Sequence, residues 1–172
     1  FLLAHPEKTG KDSERPVSFE MIYPNGDESG AQVNAGVRTF GEISDSTPSF
    51  RLSFRSKYGA TKFDYPLFPT SPSGTFDTLI LQAVGSSDGV GTDPAAYLQN
   101  EWLRTLQIAM SGLGSHGIFA NLYVNGRYLG LYNLIERPNA DFMASHLGGE
   151  EDDWFVANQA GVLNDDTDDQ NN

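Results

Sequence analysis

The sequence predicts an α+β domain in which a mostly antiparallel sheet with a central β-hairpin is accompanied by one long amphipathic helix. Two apolar, aromatic runs flank Asn125-Gly126 within residues 117–142, which is the pattern of a hairpin. Shorter segments of alternating apolar and polar residues precede it, and residues 93–112 carry a helical apolar stripe. With 172 residues, the chain is long enough to form one domain with a substantial core.

Four segments before the helix alternate in polarity and are predicted to be strands. They are residues 17–23, 32–40, 50–55 and 76–84. Between the last two lies an aromatic and proline-rich segment, residues 65–69, which we expect to pack over the core.

Arg51 and Arg55 share one face of the third predicted strand, whose other face is aromatic and aliphatic. A solvated edge strand is one explanation for two arginines on one face. The other is a pair of cations directed at phosphate or carboxylate, because the guanidinium fork matches those oxygens.

The helix is predicted to begin at Asp93-Pro94, with Asp93 as the N-cap and Pro94 at the first helical position. An apolar stripe follows at helical spacing, and we expect it to face the core. Its members are Leu98, Trp102, Leu106, Ala109 and Met110. His116 stands alone just before the hairpin and is expected to be a turn residue.

The hairpin itself is predicted from its turn and from its second strand. Asn-Gly readily adopts positive φ at both central positions, as a two-residue type I′ turn requires. After Asn125-Gly126, both faces of the second strand carry apolar side chains. We therefore expect both faces of the hairpin to be covered and the hairpin to be central in the sheet.

The hairpin is expected to end at Glu136-Arg137-Pro138, because proline cannot donate to a strand ladder. Asn139 is predicted to cap a short helix that continues to Leu147 and is closed by two glycines. A carboxylate at the end of a buried strand, beside polar groups at a helix start, is a suitable place for chemistry. The alternative is an ordinary hairpin with a solvated Glu-Arg pair, since most such pairs are surface features.

The chain is strongly acidic, with 11 basic residues against 23 acidic ones and a net charge of −12. This balance argues against nucleic acid or an anionic membrane as the main partner. No apolar run approaches the roughly 18 residues of a membrane span, and the lack of cysteine excludes disulfides and thiolate metal sites. The acidic tract at residues 164–172 is expected to be a solvated tail, with a cation-binding region centred on residues 150–172 as the alternative.

Six motifs occur in a fixed order along the chain. They are ERPVSFE at residues 14–20, VNAGVR at 33–38, SFRLSFRSKYG at 49–59, YPLF at 65–68, LYVNG at 122–126 and GLYNLIERP at 130–138. Together they resemble the CotH kinase family, which is named for the spore-coat protein H and occurs in large secreted proteins of environmental bacteria. The resemblance extends over residues 14–160.

The resemblance implies a partial atypical protein kinase fold, with ATP and Mg²⁺ or Mn²⁺ between a β-rich lobe and a helical lobe. It implies phosphoryl transfer to Ser or Thr of extracellular or coat proteins, in which positioning and charge neutralisation provide most of the catalysis. By the same resemblance, Arg38 and Arg51 face the phosphates, and the loop from Gly41 to Ser44 covers them.

The resemblance also assigns roles to carboxylates and amides near the end of the hairpin. Glu136 and Asp141 are expected to be catalytic, holding metal or orienting the acceptor hydroxyl, and Asp141, Asn139 and Asn158 are expected to form the metal site. A nucleotide pocket should therefore lie where the hairpin ends, walled by the two arginines that are expected to face the phosphates.

The chain departs from the family pattern at positions where cations or metal-binding carboxylates are usual. These positions are Asp45, Pro48, Gln82, Gln99 and Asn139. A catalytically inactive extracellular structural or binding module is therefore the alternative to an active kinase.

The expected domain organisation has three parts. Residues 1–13 are expected to be a loop or linker, residues 14–160 a CotH-like domain that is incomplete at its C-terminus, and residues 161–172 the acidic tail. The resemblance implies an extracellular or cell-surface location, with a protein substrate or neighbouring extracellular modules as partners.

Overall fold

A computed structural model describes residues 13–24, 30–41, 48–83, 96–158 and 161–162. The predicted linker and acidic tail fall almost wholly outside these residues, as do Asp45, Asp93 and Pro94.

The described elements, in chain order, are β1 (Arg15–Met21), β2 (Ala31–Phe40), β3 (Ser49–Ser53), β4 (Phe63–Asp64), β5 (Thr75–Phe76), β6 (Thr78–Ala83), α1 (Ala96–Ser111), β7 (Gly117–Val124), β8 (Arg127–Glu136), α2 (Ala140–Leu147), a 3-10 helix (Glu151–Asp153), β9 (Ala157–Asn158) and β10 (Gly161–Val162).

The main sheet has six strands in the order β1-β2-β3-β6-β8-β7, and every neighbouring pair is antiparallel. Two short two-stranded sheets, β4 with β5 and β9 with β10, accompany it. The predicted α+β class with a mostly antiparallel sheet is therefore confirmed. In the described part of the chain, neither helix is long and apolar enough to cross a membrane.

The predicted hairpin forms between β7 and β8. Asn125 and Gly126 have φ of 50° and 78°, and Val124 pairs with Arg127 across the two-residue turn. Its predicted central position is wrong, because β7 is the edge strand of the sheet and β8 lies next to it. The apolar residues that suggested cover on both faces are partly exposed near the turn, where Tyr128 is 51% and Leu131 is 42% exposed.

One face of the sheet carries the hydrophobic core. Strand pairing aligns Val37, Leu52, Leu79 and Glu136 across four strands, and residues on this face are mostly apolar. The segment between β4 and β5 covers this face, as the sequence predicts for residues 65–69, and Leu67 is buried there. Aromatic contacts bind the two layers, with the ring centroids of Phe54 and Phe63 5.5 Å apart.

The apolar stripe of α1 does not face the core, so that prediction is wrong. Trp102 is 61% exposed and Met110 is 79% exposed, and Leu98 and Leu106 are exposed as well. Helical periodicity identifies an apolar face, but it does not identify what covers that face.

The short helix α2 forms as predicted. Asn139 caps it, accepting a hydrogen bond of 2.9 Å from the Phe142 backbone N–H through Oδ1. At the other end, Gly148 has φ of 87° and its N–H donates to the Ala144 carbonyl. These two caps define the start and end of α2, which follows β8 after a connection of three residues.

Candidate functional site

The predicted site residues are divided between the two faces of the main sheet. Arg38 pairs with Arg51, Arg51 pairs with Ile80, and Ile80 pairs with Ile135, so these four side chains share one face. Glu136 follows Ile135 and therefore points to the opposite, core face. The expected single pocket, walled by both arginines and both carboxylates, is wrong for this register.

The arginine face is partly covered by α1. Asn133 lies on this face, and its Nδ2 donates a 2.9 Å hydrogen bond to Glu101 Oε2. Gly117 leaves room for that contact, because a Cβ atom there would lie 2.6 Å from Glu101 Oε2. Arg51 is fully buried on an interior strand and Arg38 is 5% exposed, so the solvated-edge explanation for Arg51 is wrong.

The predicted phosphate-covering loop begins at Gly41, directly after β2. Gly41 has φ of 78°, a conformation that side chains with a Cβ rarely adopt, and it bends the chain as it leaves the strand. Ser44, the other residue predicted in this loop, lies outside the described residues.

Glu136 is held in a buried network on the core face. Its side chain is 2% exposed. Oε1 accepts a 2.7 Å hydrogen bond from Ser71 Oγ, and Oε2 lies 2.8 Å from the His116 backbone nitrogen and 2.9 Å from His116 Nδ1. Burial acts to raise the pKa of Glu136, but the neighbouring His146 ring, the His116 amide and Ser71 outweigh burial and lower it.

The solvated Glu-Arg pair is also not observed. Arg137 is 8% exposed, and its guanidinium lies 5.6 Å from the centroid of the Phe40 ring. Both residues at the end of β8 are therefore integrated into the fold, one on each side of the sheet.

The start of α2 brings Asn139 and Asp141 together with residues of the segment that covers the core. Asn139 Nδ2 donates a 2.8 Å hydrogen bond to Asp77 Oδ2, while its oxygen caps the helix. Asp141 forms an ion pair with Lys62, and this hydrogen bond raises the pKa of Lys62.

The residues predicted to hold Mg²⁺ do not fit that ion in this arrangement. The oxygen of Asn139 accepts from a backbone amide, and the carboxylate of Asp141, 8% exposed, is neutralised by Lys62. Asn158 belongs to β9, where it pairs with Gly161 in a separate small sheet. Oxygen ligands that are already engaged by protein donors do not form an open hard-cation site.

Two histidines that the sequence does not single out as functional meet at Glu136. His116, expected to be a turn residue, is buried, and His146 Nε2 from α2 lies 3.6 Å from Glu136 Oε2. These three side chains form a group whose potential ligand atoms all lie within 4.8 Å of one another. One signal in the sequence could have drawn attention to His146. It follows the helix cap Asn139 by seven residues, or about two helical turns, so the two residues lie on the same side of the helix.

Comparison with known proteins identifies one family. A family model described as CotH kinase protein matches residues 37–172, a range that includes Arg38, Arg51, Glu136 and α2. No curated protein and no solved structure matches the chain. The resemblance expected from the six sequence motifs is therefore confirmed.

Proposed function

The chain belongs to the CotH kinase protein family, and from this premise we propose that it forms the β-rich, nucleotide-binding part of a CotH-like atypical kinase. The reaction is transfer of a phosphoryl group from ATP to Ser or Thr side chains of extracellular or coat proteins. Family membership supports the reaction class, and the strongly acidic chain suits a protein or peptide substrate better than nucleic acid.

The observation that carries the proposal is the direct pairing of Arg38 with Arg51 on the sheet face opposite the apolar core. Side chains paired in this way have Cβ atoms about 5 Å apart, which is close enough for both guanidinium groups to be directed at one phosphate chain. Guanidinium groups bind phosphate oxygens through two parallel hydrogen bonds. Arg38 would therefore contact phosphate, and the fully buried Arg51 would hold positive charge beside it.

The helix on this face supports the same assignment. In protein kinases, a helix acid acts together with a basic side chain of the sheet to organise the phosphate site. Here Glu101 of α1 reaches the arginine face, where it accepts hydrogen bonds from Asn133 and Arg104. Gly41 would begin the loop over the phosphates, and Ser44 is the proposed hydroxyl in that loop.

Asp141 remains the proposed catalytic carboxylate, whereas Glu136 is buried on the face opposite the arginine pair and is not proposed to take part in phosphoryl transfer. Divalent metal enters this proposal through family membership alone, because Asn139 and Asp141 are engaged by Phe142 and Lys62.

A catalytically inactive extracellular binding module is the second candidate. The ion pair of Asp141 with Lys62 favours it, because this carboxylate is not available to orient a hydroxyl while the pair is formed. Pro48 and Gln82, which stand where the family favours basic residues, point in the same direction. Its partners would be neighbouring modules on the cell surface or in the extracellular space.

Nucleotide binding tests the first candidate. Thermal unfolding of the wild-type chain is followed with increasing ATP in the presence of Mg²⁺ and, separately, Mn²⁺. Binding at 100 times Kd should stabilise the chain by about 2.7 kcal/mol. Arg38→Gln should weaken ATP binding by about 10- to 150-fold, because a charge-assisted hydrogen bond contributes about 1.5–3 kcal/mol.

Arg127→Gln is the matched control, since Arg127 is exposed beside the hairpin turn and should leave ATP affinity unchanged. A folded chain with no shift at millimolar ATP would rule out the nucleotide-binding proposal. Incorporation of labelled phosphate that Asp141→Asn abolishes would select the active kinase. ATP binding without phosphoryl transfer would select the inactive module.

A further inference from the structure

His116, Glu136 and His146 come from three different elements and converge at one buried point. His116 immediately precedes β7, Glu136 is the last residue of β8, and His146 lies in the last turn of α2. The three side chains are 8%, 2% and 3% exposed, respectively. The convergence is therefore a built feature of the interior rather than a surface cluster.

The hydrogen-bond partners of His146 determine which ring nitrogen carries a proton. Nδ1 lies 2.9 Å from the Phe142 carbonyl oxygen, which can only accept, so Nδ1 is the donor. In the neutral ring, Nε2 then carries a lone pair. Nε2 is buried, has no hydrogen-bond partner and faces Glu136 Oε2 at 3.6 Å.

A lone pair directed at a buried carboxylate oxygen is unfavourable, and either a proton or a metal ion between the two atoms removes the repulsion. We propose that His116, Glu136 and His146 form a zinc site that holds α2 against the end of the sheet. Two imidazoles and one carboxylate are a donor set that Zn²⁺ commonly takes, with the fourth position filled by water. Mg²⁺ and Ca²⁺ prefer oxygen ligands and suit this group poorly.

The two distances from the histidine nitrogens to Glu136 Oε2 can be compared with those of a zinc site, and all three ligand atoms lie within 4.8 Å of one another. Ligands about 2.0–2.1 Å from a tetrahedral zinc lie about 3.4 Å apart. The 3.6 Å between His146 Nε2 and Glu136 Oε2 already meets this requirement. The 2.9 Å between His116 Nδ1 and the same oxygen would open by about 0.5 Å.

The surroundings of the group resemble the outer shell of a metal site. A metal-bound histidine usually donates its other ring N–H to a carbonyl or carboxylate, as His146 does to Phe142. Ser71 donates to Glu136 Oε1, which fixes the carboxylate while Oε2 points to the histidines. Because the three buried side chains come from three different parts of the chain, a metal bound by them would hold α2 against the end of the sheet.

Metal binding is tested on the whole chain after treatment with a chelator. Isothermal titration with ZnCl₂ should show one Zn²⁺ per chain, and MgCl₂ should give no binding. His146→Gln should weaken zinc binding at least about 100-fold, because loss even of an outer-shell partner costs about 10–100-fold. His5→Gln is the control, since His5 is the third histidine of the sequence and is not one of the three proposed ligands.

A second measurement uses the wild-type chain alone and does not depend on the folding of a variant. Co²⁺ in place of zinc should give the visible absorption of a four-coordinate site, and Zn²⁺ should remove it. A folded chain that binds no Zn²⁺ at about 0.1 mM, an octahedral cobalt spectrum, or equal affinity in His146→Gln would each overturn the proposal. Nucleotide takes no part in these measurements, so their outcome is independent of the kinase assignment.

Discussion

Arg51 of β3 and Glu136 of β8 lie on opposite faces of the same sheet, with only β6 between their strands. The face of Arg51 carries the arginine pair and Glu101 of α1. The face of Glu136 carries the apolar core and the two histidines. Because successive side chains alternate across a strand, the two sites can be changed independently by mutation.

The buried network around Glu136 should contribute strongly to stability. Glu136→Gln keeps the shape of the side chain but removes the charge that accepts from Ser71 and from the His116 amide. We expect a loss of about 2–3 kcal/mol in the free energy of unfolding, because hydrogen bonds to buried charged groups are the strong ones. Urea unfolding at pH 7 in the presence of a chelator measures this change without a metal contribution.

Glu20→Gln is the control for that measurement. Glu20 is exposed on the edge strand β1, and its substitution should change stability by less than about 0.5 kcal/mol. Equal effects of the two substitutions would contradict a special role for the Glu136 network.

The hairpin turn should depend on the positive φ of Gly126. Gly126→Ala should lower the free energy of unfolding by about 1–2 kcal/mol, because a Cβ atom is unfavourable at φ of 78°. Gly74→Ala is the matched control, since Gly74 has ordinary φ and open space around its Cβ position. Thermal unfolding of the two variants should therefore separate them, and similar melting temperatures would contradict the turn assignment.

The sequence predicts those parts of the fold that local chemistry determines. Asn125-Gly126 specifies a two-residue turn, and Asn139 specifies the start of α2. The contact of His116 with Glu136 could not be predicted in this way. Counting outward from the turn would pair Glu136 with Ser115, but an irregularity between Leu122 and Tyr123 shifts the register by one residue.

The motifs likewise could not predict that the site residues are divided between the two faces of the sheet. Arg38, Arg51 and Glu136 all lie in segments that resemble the CotH kinase family, yet their facing depends on strand order and register. A register change of one residue reverses which face a side chain occupies. The sequence motifs identified the residues of the proposed site. Strand pairing was needed to show which of these residues lie next to one another.

The exposed apolar stripe of α1 should contribute little to the stability of the chain. Trp102→Gln should change the free energy of unfolding by less than about 0.5 kcal/mol, because Trp102 is 61% exposed. Leu79→Ala provides the contrast, since Leu79 is fully buried and its truncation should cost about 2–5 kcal/mol. Urea unfolding compares them, and a large loss in Trp102→Gln would mean that the stripe is covered in solution.

The contact between Glu14 and its neighbours should make stability depend on pH in the acid range. The Glu14 side chain is 1% exposed and accepts from Lys57 Nζ at 3.0 Å and from Tyr58 Oη at 2.9 Å. Burial acts to raise the pKa of Glu14, but these two hydrogen bonds and the charge of Arg55 outweigh burial. The pKa is therefore lowered from its ordinary value of 4.5.

A lowered pKa means that the folded chain binds this proton less tightly than the unfolded chain does. Stability from Glu14 is therefore complete above the unfolded pKa and is lost as the pH falls through the folded pKa. The difference in unfolding free energy between wild type and Glu14→Gln should be constant from pH 7 to about pH 5 and should shrink below about pH 4.5. The similar acid response of Glu136 is common to both proteins and cancels in this difference.

Tyr58→Phe provides a graded comparison, because it removes one donor to Glu14 and leaves Lys57 in place. Its loss of stability should be smaller than that of wild type and should end at a higher pH, since the folded-state pKa of Glu14 rises when a donor to its charged form is removed. Urea unfolding at intervals between pH 3 and pH 7 would measure all three proteins. A difference between wild type and Glu14→Gln that grew as the pH fell would have the wrong sign for a carboxylate whose pKa is lowered on folding.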